Sequence, residues 1–129
     1  MPWKFPDAEA TMCDLIEPLA PASTFLDDDW EKHLPQVQVN RAGGSADDVT
    51  DTARLQVAVY HEDRALAWAL ASDIRERILA VDDEGEAVNG VLIDSAREAI
   101  AGQQVPDIDP DDRRVISTYQ LSFRRQNLP

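Results

Sequence analysis

Cysteine is nearly absent from this sequence. Cys13 is the single example, so the chain cannot form an internal disulfide, and a reducing compartment is the simpler expectation. Long apolar runs are also missing, because the longest, residues 65–71, is far below the roughly 18 residues that a membrane span needs. The first residues contain no apolar signal segment. We expect a soluble protein that is not exported and does not enter a membrane.

Basic residues are scarce. The 129 residues include 12 Lys and Arg against 25 Asp and Glu, which gives a formal net charge of -13. Exposed acids repel the phosphates of nucleic acids, so this composition argues against a free nucleic-acid-binding protein. The length is typical of one domain with one core, which we place over residues 1–129.

The residue types of catalytic and metal sites do not form a recognisable arrangement. His33 and His61 lie far apart in sequence and lack metal-ligand spacing. Cys13 falls on the apolar side of a predicted helix and is most simply a small buried hydrophobe. Gly43-Gly44 lacks the lysine and the serine or threonine of a phosphate-binding loop. The sequence therefore predicts no enzyme, no metal and no cofactor.

One acidic segment, Asp107-Ile108-Asp109-Pro110-Asp111, begins like a calcium-binding loop. The match fails because the sixth position, where a glycine makes the turn, is Asp112, and the twelfth is Thr118 rather than a glutamate. Clustered aspartate and proline are ordinary turn residues. We interpret residues 106–112 as a solvated turn before a strand.

A short N-terminal helix is predicted from Asp7 to about Glu17. Its apolar residues fall on one side of a helical wheel, and acidic residues at its start suit the helix dipole. Pro18 and Pro21 then make continuation costly, because proline lacks the backbone N–H donor.

A longer helix is predicted over residues 62–81. We expect the acidic residues 62–63 in its first turn, Arg75 and Arg77 in its last turn, and a C-terminal cap at Gly85. At about 1.5 Å per residue it is long enough to cover a small sheet. Its predicted core side consists of Leu66, Ala67, Leu70, Ala71, Ile74, Ile78 and Val81.

Alternating apolar residues predict three strands, at 37–39, 55–59 and 115–123. The first two would pair antiparallel as a hairpin. The polar, glycine-containing residues 42–52 between them are typical of a mobile loop at the hairpin tip. Residues 24–26 could pair as a further short strand.

Residues 91–105 fit two alternatives. Val91 and Ile93 are typical of a strand, whereas Ser95-Ala96-Arg97-Glu98 matches a capping box that opens a helix. Local propensity favours the helix.

Trp68 and Leu79 are candidates for a subunit contact. On the helical wheel they lie together on the far shoulder of the long helix, separated from the core side by Arg75. Either loops and the N-terminal helix cover them, or they form part of an interface, where aromatic residues are enriched.

Basic charge is concentrated near the C-terminus, in Arg113, Arg114, Arg124 and Arg125. The acids Asp111 and Asp112 balance this charge in one interpretation. In the other, basic and acidic faces of neighbouring subunits meet, which sets orientation more than affinity.

Several weak motifs occur in a characteristic order along most of the chain. In this order, the chain resembles the phage tail terminator (tail completion) proteins. The resemblance is carried by Leu34-Pro35, by Asn40-Arg41-Ala42-Gly43-Gly44, by the strand from Arg54 to Tyr60 that leads into an alanine-rich helix, by the turn at Pro106-Asp107, and by Ser122-Phe123-Arg124-Arg125.

The resemblance implies an α/β (α+β) subunit whose mostly antiparallel sheet is packed by one long helix and a shorter N-terminal helix, with a strand at 95–101. It implies a virion structural protein of a phage or prophage, a minor tail protein that assembles in the host cytoplasm into a hexameric ring. Such a ring caps the tail tube and joins the head connector, while DNA passes through its lumen without specific binding. We expect Gly43, Gly44, Asp47 and Asp48 to contact a neighbour or the tube.

Two other functions remain open from the sequence. One is a different neck component, such as a head-tail connector. The other is an acidic monomeric module that binds a basic protein. Ring formation would separate the terminator and connector from the binding module, and control of tail length would separate the terminator from the connector.

Overall fold

The computed structural model describes residues 3–84, 87–103 and 114–128, with the backbone alone at 82–84. In these ranges two helices and nine strands form an α+β fold with mostly antiparallel sheets, so the predicted fold class is confirmed. The helices are α1 (Ala8–Ile16) and α2 (Arg64–Glu84). The strands are β1 (Trp3–Lys4), β2 (Ala22–Ser23), β3 (Gln36–Ala46), β4 (Thr50–Tyr60), β5 (Ala87–Val88), β6 (Val91–Leu92), β7 (Ser95–Gln103), β8 (Arg114–Arg124) and β9 (Gln126–Asn127).

The main sheet has five strands in the order β2-β3-β4-β8-β7. β2 is parallel to β3, and the other neighbours are antiparallel. β4 and β8 form the centre, paired without a break from Thr50 opposite Arg124 to Tyr60 opposite Arg114. α2 carries the chain from β4 towards the edge strand β7, and β8 then returns between them. β1 pairs with β9, and β5 with β6, as two small ladders.

The two faces of the main sheet differ in what covers them. Both helices pack on one side, the core face, where Leu55, Tyr119 and Phe123 are fully buried. Burying a large apolar side chain contributes about 1.5–3 kcal/mol, so this layer holds the helices on the sheet. The alternate positions of the same strands form the open face, which is mainly glutamine, threonine, serine and arginine.

α1 confirms the predicted N-terminal helix. Asp7 is its N-cap, and Asp7 Oδ1 accepts a hydrogen bond of 3.1 Å from the Ala10 N–H. This bond satisfies one of the backbone donors that a helix start leaves without a partner. Leu15 and Ile16 are fully buried, and Cys13 is half-buried at the edge of the core.

α2 confirms the predicted long helix but shifts its ends. It begins at Arg64, so Asp63 precedes the first turn, and Asp63 Oδ1 accepts a hydrogen bond from a backbone N–H of that turn at 2.8 Å. The helix continues to residue 84, so Arg75 and Arg77 lie in its middle and the prediction of both in the last turn is wrong. The predicted cap at Gly85 lies outside the described residues.

The core side of α2 differs from the prediction at Leu66, which is 42% exposed. Leu66 lies about 100° around the helix axis from the fully buried Ala67, at the margin of the buried sector. Leu70 is partly buried against the core. The remaining predicted core positions are buried: Ala67, Ala71, Ile74, Ile78 and Val81.

The predicted loop at 42–52 is wrong. β3 continues to Ala46 and β4 begins at Thr50, so residues 47–49 alone form the tip. A β-bulge after Arg41 keeps the two strands paired. Polar, glycine-rich composition predicts a loop when it is considered alone. Here β4 is already held by β8, and its free side pairs with the polar segment.

β7 decides between the two alternatives at 91–105. Residues 95–103 pair with β8, so the strand implied by the family resemblance is confirmed and the helix favoured by local propensity is wrong. Ala96 is buried on the core face. A partner strand and a buried position outweigh local propensity.

The final strand, predicted at 115–123, is confirmed as β8. The short strand predicted at 24–26 is wrong, because β2 forms directly after Pro21, whose carbonyl accepts the Val37 N–H at 3.0 Å. The acidic turn at 106–112, with its calcium-like segment, lies outside the described residues.

Candidate interface surfaces

The β3–β4 tip is held by one aspartate. Asp47 Oδ1 accepts hydrogen bonds from the backbone N–H groups of Val49 at 2.7 Å and Thr50 at 2.8 Å, and the Asp47 N–H donates to the Thr50 carbonyl at 3.0 Å. The two N–H donors, Thr50 first and Val49 second, stabilise the carboxylate and lower the pKa of Asp47. The tip is therefore a defined turn rather than a loose loop.

The C-terminal arginines contact the tip and its surroundings. Arg125 Nε donates to the Asp48 carbonyl oxygen at 3.0 Å, and its guanidinium lies 4.2 Å from the centre of the Phe5 ring. Arg124 forms an ion pair with Asp94, with Nε 3.0 Å from Oδ2. Asp94 therefore balances the charge of Arg124, and the predicted balance by Asp111 and Asp112 lies outside the described residues.

Arg41 and Asp51 connect the two hairpin strands below the tip. Asp51 is 4% exposed and accepts two hydrogen bonds from Arg41, from Nη1 at 2.9 Å and from Nη2 at 2.7 Å. The bond with Asp51 raises the pKa of Arg41. Arg41 also donates from Nε to the Gly43 carbonyl at 3.0 Å, and its backbone N–H donates to Glu9 Oε2 of α1 at 2.8 Å.

Three exposed apolar side chains lie at the same end of the sheet. Trp3 is 67% exposed, Val49 61% and Leu92 43%. Hydrogen bonds connect their segments, because Gln126 pairs with Lys4 and also bonds the N–H and carbonyl of Leu92, at 2.9 and 2.7 Å. We call this surface the hairpin end; it comprises residues 3–5, 47–49, 92–94 and 124–127.

The structure brings six of the predicted interface residues to one region of the molecule. Asp47, Asp48, Arg124 and Arg125 belong to the hairpin end itself. Gly43 and Gly44 lie next to it, in the exposed part of β3, both with positive φ. The sequence placed the first four in two separate segments, and the pairing of β4 with β8 is what joins them.

Trp68 and Leu79 lie elsewhere, on α2. Trp68 is 41% exposed, whereas Leu79, at a later turn, is partly buried. Trp68 covers Gly102 near the end of β7, where an added Cβ would lie 3.3 Å from the Trp68 Cζ3 atom. Gly102 is next to Gln103, which pairs with Ile116, so this contact is far along the sheet from the hairpin end.

A cavity of about 220 Å³ lies beside Trp68, between α2 and β7. Arg75 Nε lies 2.8 Å from Glu98 Oε2 in its wall. Burial raises the pKa of Tyr119, while a hydrogen bond with Ser117 acts in the opposite direction. The side chains that would touch a bound group are Trp68, Ser72, Arg75, Glu98, Ser117 and Tyr119.

The two histidines and the cysteine lie in separate environments. His33 Nε2 is 3.2 Å from Asp29 Oδ2, and His61 Nδ1 accepts the Glu62 N–H at 2.8 Å. Burial, followed by nearby acids, raises the pKa of Cys13 to about 11. Across the described ranges, no three His, Cys, Asp or Glu side chains are grouped so as to hold a metal ion. Of the two described helices, neither is both long and apolar enough to cross a membrane.

Comparison with known families adds the decisive observation. A model of the family described as phage tail termination protein matches residues 4–129, nearly the whole chain. The chain belongs to the phage tail termination protein family. No curated protein matches it.

Membership in the tail termination family confirms the resemblance drawn from the sequence motifs. It implies a location in the phage tail or neck and association with other tail or neck components.

Several residues of this tail termination protein were missed by sequence reasoning. Trp3, Phe5 and Leu92 belong to the hairpin end although their segments gave no periodic signal. Arg41 and Asp51 have opposite charges, which could have suggested an ion pair, but residue 51 lay within the segment that was expected to be a loop.

Proposed function

We propose that this protein caps the phage tail tube, ends its polymerisation and provides the surface on which the head is joined, as a hexameric ring of single-domain subunits spanning residues 1–129. The tail tube protein and the head-tail connector would be its partners. The role is non-enzymatic, and the protein would assemble in the host cytoplasm before entering the virion of a phage or prophage.

The observation that supports this proposal most directly is the hairpin end. It combines exposed Trp3 and Val49 with Arg125, and tryptophan and arginine are the side chains that dominate binding energy at protein interfaces. Arg124 is already paired with Asp94, so docking would bury apolar area without leaving that charge unpaired. We assign this end to the contact with the last ring of the tube.

A capping role follows from a surface that matches the tube at one end and not at the other. The hairpin end would bind the tube, and the opposite end of the sheet carries a different surface that includes Trp68. A further tube subunit would then find no matching surface. The net charge of -13 fits a lumen through which DNA passes without specific binding, because acids repel phosphates.

Tail length in a phage that carries this gene tests the capping role. We expect Trp3→Ala combined with Val49→Asp to give overlong tails. Phe25→Ala is the matched control, because Phe25 is 66% exposed but follows the edge strand β2 and is not part of the hairpin end. Tails of normal length that fail to join heads would instead favour a connector, and normal virions from the double variant would contradict the assignment of the hairpin end.

Ring formation is tested on the purified protein. Light scattering after size-exclusion chromatography, over a concentration series, would give a mass of about six subunits, and electron microscopy would show closed rings. A monomer at every concentration that also fails to assemble on isolated tubes would contradict the ring and favour the acidic binding module.

A further inference from the structure

The open face of the main sheet differs in charge from the rest of the chain. The sequence has 25 acidic residues, yet at the described positions on this face the strands carry no Asp or Glu. Polar neutral side chains fill most of it, including Gln38, Gln56 and Gln120. The acidic segment 27–31 reaches one corner, where Trp30 packs on Tyr60 with 5.0 Å between ring centres.

Two arginines form a row across this face. Gln120 of β8 pairs with Arg54 of β4 on one side and with Arg97 of β7 on the other, so the two arginines flank it at one level. Two strand spacings separate them by about 10 Å. Both are exposed.

Arg54 and Arg97 differ in their contacts from three other arginines of the chain. Arg41, Arg75 and Arg124 each contact a carboxylate, at 2.7, 2.8 and 3.0 Å. Within the described residues Arg54 and Arg97 contact none, although acids outnumber bases by about two to one overall. Arg64 and Arg125 also contact no carboxylate there, and water solvates an exposed guanidinium, so Arg54 and Arg97 are available to a carboxylate of another molecule.

The helical layer on the opposite side of the sheet presents exposed acidic side chains. On α2, Asp73 and Glu76 are exposed and three residues apart, which places them on one side of the helix. Asp14 on α1 and Glu17, the residue directly after it, are also exposed. α2 also carries basic residues, but Arg75 is paired with Glu98 and Arg77 donates to the Leu15 carbonyl. The strands of the open face thus present arginines without acids, and the helical layer presents Asp73 and Glu76 outside any ion pair among the described residues.

We propose that the open face of one copy packs on the helical layer of the next, with Arg54 and Arg97 meeting Asp73 and Glu76. The inference rests on the ring proposed above and names the contact that closes it. A contact between two unlike surfaces is heterologous, and repeated with a rotation it generates a ring. Its charges set orientation and exclude face-to-face pairing of two open faces.

A second copy fits this face better than DNA does. Binding a duplex through its phosphates requires several basic contacts. The described strands place four arginines on this face, Arg54, Arg97, Arg114 and Arg124, but Arg124 is already paired with Asp94, and the chain has a net charge of -13. The acidic side chains of an identical copy are present at equal concentration whenever the protein is made.

Charge exchange between two variants tests the contact. Arg54→Glu with Arg97→Glu makes the open face acidic, and Asp73→Arg with Glu76→Arg makes the helical layer basic; all four positions are exposed, so folding should be retained. Each double variant alone should weaken ring formation at least tenfold. An equimolar mixture should restore it, because alternating copies then present opposite charges at every contact.

Arg64→Glu is the matched control, since Arg64 is exposed on the first turn of α2 and should leave assembly unchanged. If the wild type forms rings and both folded double variants form them equally well, the inference is wrong while the ring stands. The same holds if the mixture fails to recover, or if Arg54→Glu with Arg97→Glu leaves rings intact but abolishes retention of duplex DNA at low salt. A wild type that never assembles would contradict the ring itself.

Discussion

Arg41 and Asp51 face each other across the β3–β4 hairpin with both guanidinium Nη atoms bound to the carboxylate, at 2.9 and 2.7 Å. Asp51 lies on the core face opposite the fully buried Phe123 of β8. The pair therefore joins the exposed half of the hairpin to the centre of the sheet, and a planar two-bond contact fixes orientation better than a single bond.

Loss of this pair should destabilise the protein. Asp51→Asn keeps the shape but removes the charge from a nearly buried side chain and weakens both bonds to Arg41. Because Arg41 is 35% exposed in its side chain, solvent screens part of the effect, and we expect a loss of about 1–3 kcal/mol in the free energy of unfolding. Urea denaturation measures it. Asp48→Asn, at an exposed tip position, is the control, and an equal effect from both variants would refute the role given to the pair.

Gly44 and Gly43 should respond differently to alanine. Both have positive φ, of +106 and +110, so each variant carries the backbone strain of an L-residue there. A Cβ at position 44 would also clash with the Thr52 carbonyl oxygen, whereas position 43 has open space. We expect Gly44→Ala to cost at least about 1 kcal/mol more than Gly43→Ala, at the scale of backbone strain. Thermal unfolding measures the stability of both variants. Equal losses of stability would contradict the clash at position 44.

The contribution of Asp47 should depend on pH. Its pKa is lower in the folded chain than the ordinary value of 3.8, so its stabilising effect is present above 3.8 and is lost as the pH falls through the lower folded value. Asp47→Ala should therefore be less stable than the wild type at neutral pH, and the difference should shrink below about pH 4. Denaturation at a series of pH values measures this, with Asp48→Ala as the control. A pH-independent difference would contradict the carboxylate's role.

Cys13 should react slowly with thiol reagents. Its folded pKa of about 11, against an ordinary value of 9.0, keeps it protonated at pH 8, where the thiolate fraction should fall about 100-fold relative to the unfolded chain. The stability linked to this shift is present below pH 9 and is lost as the pH rises through about 11. The rate of reaction with a disulfide reagent at pH 8, measured with and without urea, gives the ratio between the unfolded and the folded chain. Equal rates would contradict burial of the thiol.

The hairpin strands, the long helix and β8 could be predicted because their apolar residues repeat with the spacing of a strand or a helix. Val37 and Val39 alternate, and the 3.6-residue spacing of Ile74 and Ile78 is visible without any partner. These elements, the charge excess and the order of motifs were sufficient for the fold class and the family.

The segments at 42–52 and 95–101 could not be predicted from local pattern. The first is polar and the second favours a helix, yet both lie beside a strand whose backbone donors and acceptors are already aligned. Pairing satisfies these groups, and that gain does not depend on the local sequence signal.

The candidate surface shows the same division. By itself the sequence determined which residue types are available. They are the acids at residues 47–48 of a hairpin, two arginines near the C-terminus of the chain, and a tryptophan on the long helix. Only the tertiary structure decided that Asp48 meets Arg125, that Arg124 pairs with Asp94, and that Trp68 lies away from both. The physical reason is that periodicity is a property of neighbours along the chain, whereas these contacts depend on the register of β4 with β8 and on which edge of the sheet remains open.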